Sequence, residues 1–150
     1  MFLKKYGFII PLLKILLVVI LTVSAGLIGQ RWLEQSDLKK SVRYDIEQAL
    51  SLMERFNCDV ALDKLKFAEE KTDNISSSYD KTEYLCVIRL NKGVCHLRKG
   101  IINRDKEQIN KSIDIFEDVL TLPNVKYFPN YIYIAYNYSN IAKWELKQLN

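Results

Sequence analysis

Residues 6–30, YGFIIPLLKILLVVILTVSAGLIGQ, are interrupted only by Pro11 and Lys14. Nothing else in a chain of 150 residues is large enough to enclose a helix that apolar. The uninterrupted run 15–29 covers roughly 22 Å as a helix, whereas a bilayer core needs roughly 30 Å. A span therefore has to recruit residues 8–13, with Lys14 snorkelling toward the headgroups. The expectation is an N-terminal transmembrane helix, a signal anchor that meets the lipid bilayer through residues 8–30. A cleavable signal peptide is the alternative, with Val23, Ser24 and Ala25 as the small-residue site. The anchor is preferred because Leu27, Ile28 and Trp32 carry the apolar character past that site, and Trp32 beside Arg31 suits a membrane interface.

Orientation is weakly specified. Lys4, Lys5 and Lys14 precede the span, but Arg31, Lys39, Lys40 and Arg43 follow it closely. A start resembling a signal peptide places the N-terminus in the cytoplasm, so a single-pass membrane protein with its domain outside is expected. Cys58, Cys86 and Cys95 are an odd number of thiols, and Cys86 and Cys95 stand about 13 Å apart on a shared helix, too far to bridge. They read as buried free cysteines.

Residues 31–150 must build the core. With 5 Gly and 3 Pro in the whole chain, long helices fit better than a turn-rich β fold, and the fold class expected is all-α. Three of the 22 basic side chains stand before residue 31, leaving 19 against all 18 acidic ones. That balance offers no electrostatic footprint for nucleic acid.

Apolar spacing predicts about five helices. Leu38, Val42, Ile46, Ala49, Met53 and Phe56 recur every three or four residues as one stripe. Asn57 or Asp59 can cap the next helix, where Cys58, Ala61, Leu62, Leu65 and Ala68 share a face. Residues 71–82 read as a polar loop. In the third helix Val87, Leu90, Val94, Leu97 and Ile101 form a stripe that Tyr84, Ile88 and Cys95 widen, so it should be central. After a break at 103–105, Ile109, Ser112, Ile113, Phe116, Val119 and Leu120 share the face of a fourth helix that Leu122 and Pro123 end. In the last segment Tyr131, Ile134, Ala135, Tyr138, Ile141, Ala142 and Leu149 fit a helical stripe better than a strand, and Pro129 and Asn130 suit its start.

In KSIDIFEDVLTLPN, residues 111–124, Ser112, Phe116, Val119 and Pro123 resemble the small, aromatic, aliphatic and proline positions in the second helix of a tetratricopeptide repeat. Ala61, Leu65 and Ala68 follow the same pattern, and Ala49 and Gly93 stand where that family has its close-packing glycine. Tyr138, Ile141 and Ala142 occupy the corresponding first-helix positions once more. Ala49 to Ala61 has the family spacing, while Gly93 to Ser112 and Ala61 to Ser112 are longer. The resemblance implies a tetratricopeptide-like domain over 31–150 after the anchor at 1–30. Its antiparallel hairpins would cover about 37–71 and 82–122, and a solvating, capping helix about 130–149.

No catalytic or metal signature stands out. His96 is the only histidine, and Cys95 beside it points about 100° away on a helix. No glycine-rich phosphate loop is present, so neither an enzyme nor a cofactor is expected. The resemblance instead implies a groove that holds a protein or peptide partner, with Arg43, Glu54, Arg98, Tyr136, Lys143 and Lys147 at its partner-binding positions. A tyrosine among several cations would suit a peptide carrying carboxylates and an apolar anchor. The function expected is a membrane-anchored adaptor or accessory subunit. Its rivals are a secreted helical protein released near Ala25 and a structural subunit that meets its partners through the membrane helix.

Overall fold

The helices of this chain are delimited by residues that satisfy their unpaired backbone groups. The computed structural model describes the backbone of residues 9–149 and the side chains of residues 19–149. Among them are five α-helices and no strand: α1 (Ile9–Glu54), α2 (Cys58–Thr72), α3 (Ser78–Asn103), α4 (Lys106–Leu120) and α5 (Pro129–Gln148), with a 3-10 turn at Val125–Tyr127. Asn57 caps α2 by accepting the Val60 N–H, Ser77 caps α3 by accepting that of Asp80, and the Asp105 carboxylate accepts from Glu107 and Gln108 at the start of α4. The fold is all-α as expected from composition and spacing.

Two helix ends use a left-handed residue that is not glycine. At the end of α1, Phe56 has φ 59°, its N–H bonds to Met53 O at 3.1 Å, and the Asn57 N–H reaches Leu52 O at 2.9 Å. The end of α3 repeats this pattern, with Arg104 at φ 52° and the Asp105 N–H on Gly100 O at 2.8 Å. Both are reverse turns that satisfy orphan carbonyls and stop the helix abruptly. Phe56 is thereby turned out of the apolar stripe that the spacing assigned to it and lies 78% exposed.

The expected loop at 71–82 is shorter in the structure. Thr72 still belongs to α2 and Ser78 already to α3. Ser77 supplies the cap that the polar composition conceals, and Ile75 is buried within the intervening turn. At the other boundary, α4 ends at Leu120, before Pro123.

The chain divides into two units, the first ending at Asp37 and the second running from Leu38 to Asn150. In the first unit Val19, Ile20, Leu21, Val23, Leu27, Ile28, Trp32 and Leu33 are exposed. Ser24 folds back to donate to Ile20 O, and Gln30 donates to Glu34. Among the described residues no helix is long and apolar enough to cross a membrane. The expected span 8–30 falls partly outside them, since Phe8 and the side chains before Val19 are not described.

In the second unit two apolar cores share α3. Val42, Ile46, Ala49 and Met53 of α1 meet Ala61, Leu65 and Ala68 of α2 and Ile88 and Cys95 of α3. On the other side of α3, Leu90 and Leu97 meet Ile109, Ile113, Phe116 and Val119 of α4 and Ala135 and Ala142 of α5. The wide apolar surface of α3 is thus divided between two sets of neighbours. Lys71 ties α1 to α2 by reaching buried Asp45 at 2.5 Å and Ser41 at 2.9 Å. Glu69 ties α2 to α3 by accepting from Arg89 and Lys92. Residue pairs Asp73–Lys81 and Asp59–Lys99 run in opposite order along α2 and α3, so these helices are antiparallel. Lys39–Asp80 and Met53–Arg98 run in the same order, so α1 and α3 are parallel.

Gly93 lies on α3 against the Phe116 ring of α4. A Cβ there would stand 2.8 Å from Cδ1 and Cζ of Phe116. Ser112, one turn before Phe116, is fully buried and donates its hydroxyl proton to Ile109 O at 2.7 Å. The helix containing residues 111–120 is therefore a packing element whose small and aromatic side chains set its distance from α3.

Candidate functional site

The apolar residues left at the edges of the two cores converge on a groove of about 450 Å³. Its walls come from the three parallel helices: Leu50, Met53 and Glu54 from α1, Val87, Leu90, Asn91, Val94 and Arg98 from α3, and Tyr131, Ile134 and Tyr138 from α5. Helices α2 and α4 lie behind them and contribute nothing to the lining. This alternation follows from the hairpin order, since each even-numbered helix covers the back of the pair of odd-numbered helices beside it.

The polar groups of the groove are few. Arg98 donates to Met53 O at 3.0 Å, and its guanidinium carbon lies 5.9 Å from the centre of the Phe56 ring. The cation thus rests at the C-terminal end of α1, where the helix dipole favours it. A guanidinium has five N–H donors, so one bond to Met53 O leaves capacity for a carboxylate. Glu54 is exposed beside it. Tyr138 stacks on Phe116, with ring centres 5.4 Å apart and planes inclined by 20°. Phe116 therefore supports the groove wall from behind while filling the space over Gly93. Burial pushes the Tyr131 hydroxyl above its ordinary pKa, with a further push from Glu83, so it stays a neutral hydrogen-bonding group at neutral pH.

Of the six residues carried over by family position, Glu54 and Arg98 line the groove. Arg43 is exposed two turns before Leu50 on the same stripe of α1, outside the lining. Tyr136 is exposed on the side of α5 turned away from Ile134. Lys143 pairs with Glu117 of α4 at 2.6 Å, and Lys147 is exposed in the last turn of α5. Of the other lining residues, which this reasoning missed, Met53, Val87, Leu90, Val94, Tyr131, Ile134 and Tyr138 belong to the core stripes read from spacing, while Leu50 and Asn91 stand in none of them. The available signal was the width of those stripes, which exceeds what one neighbouring helix can cover.

Helix α5 departs from the solvating cap implied by the family resemblance. Its buried face is narrow, with Ala135, Ser139 and Ala142 against α4. Tyr133, Ile134, Ile141 and Trp144 stay exposed, and Pro129–Ala142 contains no charged residue. Small residues can meet α4 on one side while the larger apolar ones remain outside.

Cys95 and His96, adjacent in sequence, serve different contacts. Cys95 lies in the core shared with α1 and α2, and burial with Cys58 as neighbour pushes its pKa to about 12. His96 turns to α4, with Nδ1 2.7 Å from Gln108 Oε1. Gln108 Oε1 can only accept, so Nδ1 carries the proton. Burial is the main force lowering the His96 pKa, and Lys111, Lys99 and Lys92 add to it. The two side chains do not meet as nucleophile and base. No group of three or more potential metal ligands occurs among the described residues. The chain matches no known protein-family model, no curated protein and no solved structure.

Proposed function

We propose that this chain is a membrane-anchored adaptor whose tetratricopeptide-like helical domain holds a short apolar segment of another protein in the groove between α1, α3 and α5. The observation that carries this reading is the groove itself, with apolar walls from three helices and a cation at one end. A segment with one or two aliphatic side chains and a carboxylate would place the former against Leu90, Val94 and Ile134. The latter would meet Arg98, where a charge-assisted hydrogen bond adds specificity. The Gly93–Phe116 approach also supports the family reading, because Gly93 stands where that family has its close-packing glycine and the neighbouring helix packs against it.

The anchor rests on the apolar segment 6–30 and on the exposed side chains between Val19 and Leu33 in the part of it that is described. In water such a row is costly to leave uncovered. Lipid around the residues before Gln30, with Trp32 and Arg31 at the interface, removes that cost.

Pull-down from detergent-solubilised membranes tests the groove. Val94→Asp puts a charge on its floor and Arg98→Ala removes its cation, and both are expected to lose the partner that the unaltered chain retains. Replacing residues 1–30 with an unrelated anchor should leave that partner bound. Loss on the anchor swap, with retention in both groove variants, would assign the contact to the membrane helix. Intact mass of the expressed chain tests the anchor, and a mature form beginning at Gly26 would exclude it.

A further inference from the structure

Three buried thiols lie in the second unit, and they are not equivalent. Cys58 is the first residue of α2 and Cys95 lies on the face of α3 that meets it. Both belong to the same core, 7% and 0% exposed, and the nearness of the Cys58 thiol adds to burial in raising the Cys95 pKa. The contact is held in register from both sides. Lys99, one turn after Cys95, pairs at 2.5 Å with Asp59, the residue after Cys58. Arg98 binds Met53 O in the last turn of α1, just before the turn that leads into α2. Cys86 is buried in the other core, where its charged neighbours are Arg89 and Glu83. One pair and one single thiol account for the odd number of cysteines.

We propose that Cys58 and Cys95 form a redox pair, which a small-molecule disulfide converts into a disulfide bond joining α2 to α3. Cys58 lines a small pocket of about 130 Å³ with Phe56, Asp59, Lys99 and Ile102, which gives a reagent an approach that fully buried Cys95 lacks. Cys58 as thiolate attacks one sulfur of the reagent RSSR, forming a mixed disulfide and releasing RS⁻, which takes up the proton lost by Cys58. Cys95 then loses its proton and attacks the Cys58 sulfur, expelling the second RS⁻, which is protonated in turn. The protein gives up two electrons and two protons, and RSSR becomes two RSH. Cys95 is the slow partner because its burial disfavours the thiolate, so the exchange proceeds through opening of the first turn of α2. The product fastens the first hairpin to α3, and with it the spacing between the α1 and α3 walls of the groove.

The chain, purified in detergent and reduced, is incubated with oxidised glutathione, quenched with acid and alkylated after unfolding. Expected are a loss of about 2 Da, a peptide cross-linked between Cys58 and Cys95, and full alkylation of Cys86. Cys86→Ser should keep the cross-link, and the unfolding midpoint of the oxidised chain should rise above that of the reduced chain. Three alkylated thiols after prolonged oxidation, a bond involving Cys86, a bond between two chains, or a glutathione adduct on Cys58 that never resolves would each overturn the assignment. Because the mapping is read on the unaltered chain, it does not depend on whether Cys58→Ser or Cys95→Ser folds.

Discussion

The ring of Phe116 occupies the space over Gly93, with Cδ1 and Cζ 2.8 Å from where a Cβ on residue 93 would stand. This contact sets the distance between α3 and α4, and its other side carries Tyr138 of the groove wall. A methyl group at residue 93 would either tilt the ring into Tyr138 or push α4 away.

Gly93→Ala is therefore expected to destabilise the second unit, although alanine is the better helix former. Overpacking a close-packed site costs about 1–3 kcal/mol, and the helix propensity of alanine returns up to about 1 kcal/mol. The net loss expected is about 1–2 kcal/mol by urea denaturation. Adding Phe116→Leu, which frees space beside the new methyl, should recover part of it. A double variant no more stable than the sum of the two single losses would show that the ring is not what the methyl meets.

Arg104→Gly has the opposite sign. Arg104 is exposed at φ 52° between α3 and α4, a conformation that costs an L-residue roughly 1–2 kcal/mol. Glycine adopts it freely but gives up more entropy on folding, about 0.5–1 kcal/mol. A gain of roughly 0.5–1 kcal/mol is expected in the denaturation midpoint at unchanged slope. Phe56→Gly relieves the same strain but also removes the ring beneath Arg98, so its gain should be smaller.

Ser139→Ala tests a polar group inside the α4–α5 contact. The Ser139 hydroxyl is buried and has no hydrogen-bond partner among the described residues, while Ala135 and Ala142 flank it on the same face. Removing an unsatisfied buried hydroxyl recovers its desolvation cost, and alanine is the stronger helix former. A stabilisation of about 1 kcal/mol is expected, read as a higher melting temperature. A loss would reveal a bridging water as the hydroxyl's partner.

What was legible in the sequence depended on how many sides of a helix are covered. Helices α2 and α4 bury one face each, so Ala61–Leu65–Ala68 and Ile109–Ser112–Phe116 identify themselves by spacing. Helix α3 is covered on several sides, and its periodicity indicated a central place without saying which of Val87, Leu90 and Val94 would be left at a groove. The start of α3 was hidden because Ser77, Ser78 and Asp80 read as loop composition until the Ser77 side chain is seen capping the Asp80 N–H. The Cys58–Cys95 contact was out of reach for a similar reason, since it depends on the register of α2 against α3, which the Asp59–Lys99 ion pair fixes. Family position carried Arg98 and Glu54 to the groove because they follow its apolar floor along their helices. It misplaced Lys143, whose partner Glu117 lies on the back-side helix α4.

The stability of the second unit should fall with acid in a window set by His96. Its ring is buried with Nδ1–H donating to Gln108, and its folded-state pKa is lowered from 6.5, first by burial and then by nearby lysines. The unfolded chain therefore binds a proton at a pH where the folded chain does not, so stability rises with pH across that interval. The contribution is fully present above the unfolded value of about 6.5 and is lost as pH falls below it toward the folded value. Urea midpoints measured from about pH 8 to about pH 5, roughly 1.5 units to either side of that value, should decline on the acid side. His96→Gln keeps a donor for Gln108 without a titrating ring and should flatten that decline between about pH 7 and pH 5. An equal decline in the variant would show that His96 is not its source; Asp80 would not account for it either, because the Lys39 side chain lowers its pKa from 3.8 and its contribution is lost only at more acid pH than this window.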